Sequence, residues 1–354
     1  MSNLTNISYL NSILLDYIRT TYFLDALRLY LTTPMTIIGT ILNTISIFIL
    51  STKSFRKINI FKIMLVYSIT SFIITFGLIF FFLFTPYILF ELSISLMGRI
   101  YTCYLLNSIF LLFFFYGNCL DILMNLERAL SFSNGYQKIK QTSPYLICFI
   151  ALIICIIIHI PSNLAQAHTP DDELYVKFRL CYSTTFITNP ITRMILIASY
   201  IIEGQIVMIL VIGSNILAYI SYKSFMKRKQ ESTNVNRSAE LTEREKRKQA
   251  KTEKMNQKLL MMAIYLTVFS IIIHIIQFGA QLIIFVLNST ISPLLYVWAR
   301  FIFTFIILFK HFITIFFYYY FNLNFKRTLL SFICKQRLEN SLNTVTRYNN
   351  TLNR

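Results

Sequence analysis

Seven long apolar runs divide this chain, and each is long enough to cross a lipid bilayer. A hydrocarbon core of roughly 30 Å needs about 20 residues of helix. In lipid, each backbone N–H and C=O group must find its partner within its own segment, so the runs are predicted to be helices. They span residues 34–50, 61–84, 103–126, 144–164, 191–222, 259–287 and 293–320. We therefore predict an all-α membrane protein, a bundle of seven transmembrane helices.

The composition agrees with a lipid environment. Apolar residues make up 56% of the chain and charged residues only 14%. This apolar fraction is higher than a water-soluble domain of this length needs to build its core. The formal charge is +18, but the basic residues concentrate between the apolar runs rather than in a folded basic domain. We therefore predict no nucleic-acid partner, and we attribute the charge to cytoplasmic loops that face anionic membrane lipids.

The basic loops set the predicted orientation, because Lys and Arg near helix ends stay on the cytoplasmic side. The loop at 223–258 is densely basic, whereas the loops on the opposite side carry Glu91 and Asp171 to Glu173. The N-terminus is therefore predicted outside the plasma membrane, where the sequons at Asn3 and Asn6 can be glycosylated. The predicted regions are an extracellular segment 1–29, a seven-transmembrane domain 30–320 with a long basic third intracellular loop at 223–258, and an amphipathic helix 8 with a cytoplasmic tail at 321–354.

The third and seventh runs carry the features on which a family resemblance rests. Cys103 opens the third run and Glu127-Arg128-Ala129 closes it, at the separation found in rhodopsin-like G-protein-coupled receptors. Tyr318 and the Phe325-Lys326-Arg327 stretch resemble the end of helix 7 and the start of helix 8 in that family. The chain departs from the family's helix 6 and helix 7 motifs, which contain Pro. The likeness is to divergent invertebrate peptide or chemosensory receptors.

The resemblance implies a receptor that binds an extracellular ligand and activates a heterotrimeric G protein. It assigns the activation switch to Glu127, Arg128 and Tyr318, with Glu127 holding Arg128 in the resting state. Cys103 and Cys181 both lie on the predicted outer side, an oxidising compartment in which a disulfide between them would persist. A contrasting hypothesis is a ligand-gated channel or transporter subunit of the insect chemoreceptor type, with seven helices in the opposite orientation.

Charges inside the apolar runs are costly unless they are paired or hydrated, so each is a functional candidate. We hypothesise that Asp121 and Lys310 form an internal ion pair, in place of the acid and sodium ion of the family. The alternative is that Lys310 reaches the inner surface, while Asp121 is merely hydrogen-bonded to Asn118 or Asn43. The family's retinal-bearing position falls on Leu308, and the two-residue offset to Lys310 turns the helix face by about 200°. We therefore predict no cofactor.

Aromatic and polar residues in the predicted outer half of the bundle suit a ligand cavity. The candidates are Phe110, Phe114, Glu203, Gln277, Gln281, Tyr296 and Arg300. Glu203 and Arg300 are the preferred anchors, because bare charge there is hard to explain by packing alone. Opposite charges in one cavity suit a zwitterion or a peptide, and we prefer a peptide.

The histidines, Cys334 and one polar segment of the sequence lead to the remaining predictions. The four His residues have no metal-ligand spacing, and no nucleophile stands beside a base, so we predict neither a metal site nor enzymatic activity. Cys334 ends an amphipathic stretch beside the membrane, where palmitoylation and a plain free thiol are both open. The segment from Glu231 to Ser238 is polar and is predicted to be mobile, followed by a charged extension of helix 6.

Overall fold

A computed structural model describes most of the chain, and the described part is helical almost throughout. The described residues are 19–20, 23–24, 26–53, 55–83, 97, 100–131, 142–164, 166–168, 181–183, 189–236, 265, 268–276, 278–280, 283, 293–321 and 325–331.

In the part of the chain that the structure describes, seven long helices, α1 to α7, follow one another. The first four are α1 at Thr33–Leu50 after a π-helical turn at Arg28–Thr32, α2 at Asn59–Leu83, α3 at Leu111–Ser131 after a π-helical segment at Tyr101–Phe110, and α4 at Pro144–Leu164. The others are α5, which joins Pro190–Ile201, a π-helical turn at Ile202–Ile206 and Val207–Asn236, then α6 at Val268–Ala280 and α7 at Pro293–Phe321. A hairpin of β1 (Gln166–His168) and β2 (Cys181–Ser183) lies between α4 and α5.

Proline marks the beginning of several helices and one interruption. Pro190 follows Asn189, whose side-chain oxygen accepts a hydrogen bond from the Ile191 backbone N–H at 2.9 Å. Proline is well tolerated in a first turn, because its missing N–H would have no helical partner there. Pro161 instead lies inside α4, where it removes one hydrogen bond of the helix ladder.

The surface of the bundle is apolar and parts of its interior are polar. Six of the described helices are long and apolar enough to cross a membrane, and Val268–Ala280 is a shorter apolar helix. Phe48, Ile157 and Ile209 are exposed, whereas Asn118 is buried. Such a surface suits lipid rather than water. The chain is thus a multi-pass membrane protein, and the predicted class, an all-α bundle of seven helices, is confirmed.

The second and third helices each pack against several others in the described part of the bundle. α3 packs against α2, α4 and α5, while α1 packs against α2 and α7. An apolar cluster joins α2, α3 and α7 through Ile74, Leu78, Phe114, Ile307 and Leu308. The end of the bundle at which α3 finishes is here called the Arg128 end, since Arg128 lies in the last turn of α3.

A short helix after α7, α8 at 325–331, docks on the Arg128 end through Phe325. Phe325 is fully buried. Its ring centroid lies 5.8 Å from that of Tyr318 and 6.5 Å from that of Phe55, in the α1–α2 connection. Arg327 is exposed on the same short helix. The predicted amphipathic helix 8 is therefore confirmed.

Helix α5 extends beyond the boundary that the sequence predicts. It continues through Asn236, so residues 231–236 belong to the helix, and the predicted mobile segment begins too early at Glu231. The residues that precede Glu231 are mainly Lys, Arg and Gln, which favour helix. Adding one residue to an existing helix is easier than starting a new helix, which accounts for the continuation.

Gly77 of α2 allows the close approach of α3. A Cβ atom at this position would overlap the ring of Phe110. We therefore expect Gly77→Ala to lower the free energy of unfolding by about 1–3 kcal/mol, because the ring must leave its position. Reversible unfolding of the purified protein in detergent micelles measures this loss.

Gly213 provides a matched control for Gly77. It also lies within a long helix, but a Cβ atom there would meet nothing within 4 Å. Gly213→Ala should therefore be neutral or raise the free energy of unfolding by about 0.4–1 kcal/mol, since Ala restricts the unfolded chain. Equal effects of the two substitutions would contradict the proposed contact between Gly77 and Phe110.

Candidate functional site

The ammonium group of Lys310 lies inside the bundle and forms an ion pair with Asp121. Lys310 is only 5% exposed. Its Nζ atom also donates a hydrogen bond to Asn118 Oδ1 at 2.9 Å and lies 3.4 Å from His274 Nε2. Lys310 thus does not reach the bundle surface, and the alternative in which it does is wrong. Residues of α3, α6 and α7 meet at this buried cation.

One face of α3 supplies much of the polar site. Four polar residues recur there at intervals of three and four positions, which places them on one side of a helix: Asn118, Asp121, Asn125 and Arg128. Asn125 Nδ2 donates to Ser214 Oγ of α5 at 3.4 Å, and Arg128 Nη1 donates to Asn125 Oδ1 at 3.2 Å. The stripe continues the polar interior from the ion pair to the Arg128 end.

A polar cavity of about 50 Å³ lies between Lys310 and Arg128. Five helices contribute to its wall, and the polar lining includes Tyr67, Asp121, Asn125, Arg128, Asn215, Lys310 and Tyr318. A single water needs roughly 10–15 Å³ of such space, so the cavity has room for a few waters. Hydration in this space can stabilise charged side chains that would otherwise be costly to bury. The cavity is therefore sized for a few waters rather than for a large ligand.

The predicted switch residues lie around this cavity. Arg128 and Tyr318 share its wall, and Tyr318 packs on Phe325 of α8. Glu127 precedes Arg128 on α3 and is partly buried. The predicted restraint of Arg128 by Glu127 stays a prediction.

His311 and Asn43 complete the polar interior on the side of α1 and α2. His311 Nδ1 lies 2.8 Å from Ser71 Oγ, and its ring centroid lies 5.7 Å from that of Tyr67. α7 is thus tied to α2 one residue after Lys310. Asn43 of α1 is buried, and its Nδ2 atom has no hydrogen-bond partner among the described residues.

A second buried pair joins α4 to α5. His159 Nδ1 lies 2.9 Å from Glu203 Oε1, and His159 Nε2 lies 2.9 Å from the backbone oxygen of Ser108. A carbonyl oxygen only accepts, so Nε2 carries a proton, and one further proton is shared between Nδ1 and the carboxyl group. The pair is neutral as a whole. The sequence prediction treated Glu203 as a bare charge, and the structure corrects this premise because His159 already pairs with it.

The other predicted ligand residues are described to different extents. Phe110 is half-buried near Gly77. Phe114 is buried in the apolar cluster, with its ring centroid 5.8 Å from that of Phe303. Gln277 and Gln281 lie outside the described residues. Tyr296 and Arg300 are described only as part of the backbone of α7. Phe110 thus packs against α2, and Phe114 packs against α2 and α7. Their part in binding a ligand stays a prediction.

The two cysteines of the predicted disulfide lie in neighbouring elements. β1 contacts the Tyr101–Phe110 segment, which contains Cys103. Cys181 lies in β2, opposite His168 of β1. The disulfide itself stays a prediction. The predicted glycosylation and palmitoylation sites lie outside the described residues: Asn3, Asn6 and Cys334.

Comparison with solved structures identifies the architecture. The crystal structure of squid rhodopsin matches with a TM-score of 0.57 and covers 88% of this chain and 84% of its own, at 13% sequence identity. This chain has the rhodopsin fold. No family model matches the sequence, and no curated protein does so either. At this identity the likeness carries the fold alone, so residue roles must come from the geometry of the chain itself.

Sequence reasoning missed several polar residues inside this rhodopsin fold, among them Asn125, His159 and His274. Asn125 completes the polar stripe of α3, and the three- and four-residue spacing could have indicated it. His159 and His274 face Glu203 and Lys310 from neighbouring helices. A neutral histidine in an apolar run gives no charge signal, so its partner is found only when the helices are assembled.

Proposed function

We propose that the chain is a rhodopsin-like G-protein-coupled receptor of the plasma membrane. It binds an extracellular ligand and activates a heterotrimeric G protein at the Arg128 end. The observation that carries the proposal is the position of Arg128, in the last turn of α3 on the wall of a polar cavity bounded by five helices. The rhodopsin fold supports the same class.

The geometry suits a change between two states of the bundle. Arg128 Nη1 donates a hydrogen bond to Asn125 Oδ1 at 3.2 Å, and a few waters fit beside the guanidinium group. A movement of α5, α6 or α7 would widen this cavity and expose the guanidinium group to a partner. A ligand that binds the wider state more tightly shifts the population towards it, and no new chemistry is required.

We propose that the end of the bundle with the β1–β2 hairpin faces the outside of the cell, as does the N-terminus. The ligand would enter the bundle from that end. Arg300 of α7 remains the proposed charged anchor, and Gln277, Gln281 and Tyr296 remain candidate ligand residues. Glu203 can serve a ligand only if its contact with His159 opens. A peptide is the preferred class, because it offers both charges and apolar side chains to the charged and aromatic residues predicted in the outer half of the bundle.

Arg128→Leu should reduce G-protein activation to background. Leu keeps much of the apolar stem but removes the group that the partner would contact. Membranes from cells expressing the chain are mixed with purified G proteins of each class, and the rate of guanine-nucleotide exchange without added ligand is compared with that of mock membranes. Arg193→Leu is the matched control, because Arg193 is exposed near the start of α5, far along the helix from the Arg128 end.

Orientation is tested in the same cells. Different epitopes at the two ends are stained before and after permeabilisation, and glycosidase treatment reports on Asn3 and Asn6. An external, glycosylated N-terminus with exchange that depends on Arg128 supports the receptor. An internal N-terminus, or exchange no faster than that of mock membranes with each class of G protein, contradicts it and favours the inverted channel.

A further inference from the structure

Three acceptor groups surround the ammonium group of Lys310, one for each of its three N–H donors. An ammonium group carries three N–H donors and no acceptor. The carboxylate of Asp121 and the amide oxygen of Asn118 accept from α3, and His274 Nε2 faces Nζ from α6 at 3.4 Å. One buried side chain of α7 thus reaches acceptors on two other helices.

The contacts of His274 identify its protonation state. His274 Nδ1 lies 2.6 Å from the backbone oxygen of Ser270, one turn earlier in α6. Because a carbonyl oxygen cannot donate, Nδ1 must carry the proton of that hydrogen bond. The other nitrogen, Nε2, faces the ammonium group of Lys310, which only donates. His274 is therefore neutral, with the Nε2 lone pair directed at Lys310.

We propose that this arrangement is a latch in which Lys310 and His274 hold α6 against α3 and α7 in the resting bundle. The latch would regulate the cavity beside Arg128, since Ser270 and Phe269 of α6 line that cavity one turn away. When α6 moves outward, the ammonium group loses its acceptor on α6 but keeps both acceptors on α3. Opening therefore does not expose an unpaired charge, and the latch is reversible. Only its signalling consequence rests on the proposed function.

A second hydrogen bond strengthens the connection of α6 to the core. Asn215 Nδ2 of α5 lies 3.5 Å from Ser270 Oγ, and the same hydroxyl lies 3.2 Å from His274 Nδ1. His274 is fully buried, so water does not compete readily for its ring nitrogens. The latch thus combines α5, α6 and α7 with α3 around one neutral imidazole.

His274→Phe tests the latch directly. Phe fills a similar volume but offers no lone pair to Lys310. His274→Gln is the rescue variant, because the Gln side-chain oxygen can reach the position of Nε2. His311→Phe is the matched control: His311 is another buried histidine beside Lys310, but its hydrogen bond goes to Ser71 of α2.

The readout is a distance that does not depend on G protein. Spin labels are introduced as genetically encoded amino acids at Ser131 of α3 and Val268 of α6, both exposed. In His274→Phe, pulsed electron spin resonance should show a longer and broader distribution of distances between the two labels. We expect the ratio of open to closed bundles to rise on the order of tenfold, as for the loss of a hydrogen bond to a charged group. His274→Gln and His311→Phe should retain the wild-type distribution.

The outcomes separate the latch from the proposed function. An unchanged distance in His274→Phe, or the same change in His311→Phe, overturns the latch. A longer distance in His274→Phe together with faster nucleotide exchange supports both proposals. A longer distance without exchange with each class of G protein supports the latch and counts against the receptor function.

Discussion

Lys310→Met should lower the free energy of unfolding by about 3–5 kcal/mol, the usual loss when one partner of a buried ion pair is removed. Met has a similar length and no charge, so packing changes little while Asp121 loses its counter-ion. The side chain of Lys310 is 7% exposed and that of Asp121 is 12% exposed, so solvent can stabilise the unpaired Asp121 carboxylate only weakly. Reversible unfolding in mixed micelles measures the loss, and the fraction of protein that reaches the cell surface should fall with it.

A double variant separates the loss of the pair from the loss of packing. Lys310→Met combined with Asp121→Asn removes both charges and should be more stable than Lys310→Met alone, since no uncompensated carboxylate remains. Exchange of the two residues, Asp121→Lys with Lys310→Asp, is a stricter form of the same comparison and should restore signalling that each single substitution loses. If the double variant were as unstable as the sum of the singles, the pair would have no coupling and the ion-pair explanation would fail.

His159→Phe should cost about 3 kcal/mol of unfolding free energy. The substitution leaves the Glu203 carboxyl group without its partner. It also removes the His159 hydrogen bond to the backbone oxygen of Ser108, which keeps only the one from the Leu111 N–H. Buried groups left without their hydrogen bonds cost about 1–3 kcal/mol each. Thermal and denaturant unfolding of the purified variants provide the measurement.

The control for His159 removes the carboxyl group as well. The double variant His159→Phe with Glu203→Leu leaves no carboxyl group unpaired, and the Ser108 oxygen keeps its hydrogen bond from Leu111 N–H, so it should recover more than half of the stability lost by His159→Phe. A His159→Phe variant within about 0.5 kcal/mol of wild type, the range usual for surface substitutions, would show that the contact does not stabilise the junction of α4 and α5.

Much of the fold follows from the sequence because the bilayer permits few alternatives. A run such as 144–164 must be a helix to satisfy its backbone in lipid, and α4 indeed occupies Pro144–Leu164. Intramembrane charges are constrained in the same way: Asp121 and Lys310 each require a partner, so the sequence predicts that each finds one within the apolar runs.

Partners between helices are harder to predict when local geometry departs from the regular α-helix. Glu203 lies in the π-helical turn Ile202–Ile206, and a wider turn changes the direction of side chains relative to a regular helix. Its contact with His159 cannot be obtained from a helical wheel. The continuation of α5 through Asn236 was missed for a different reason: a polar composition predicts solvent exposure, but it does not distinguish an exposed helix from a loop.

The cation at the centre of the bundle is covalently attached to α7, and this has a consequence for the conditions under which the protein works. A free ion dissociates, and its occupancy changes with its concentration outside. The ammonium group of Lys310 has no such equilibrium, and burial protects its pairing with Asp121 from screening. The Lys310–Asp121 pair should therefore keep its charge over a wide range of external salt concentration, from fresh water to brine.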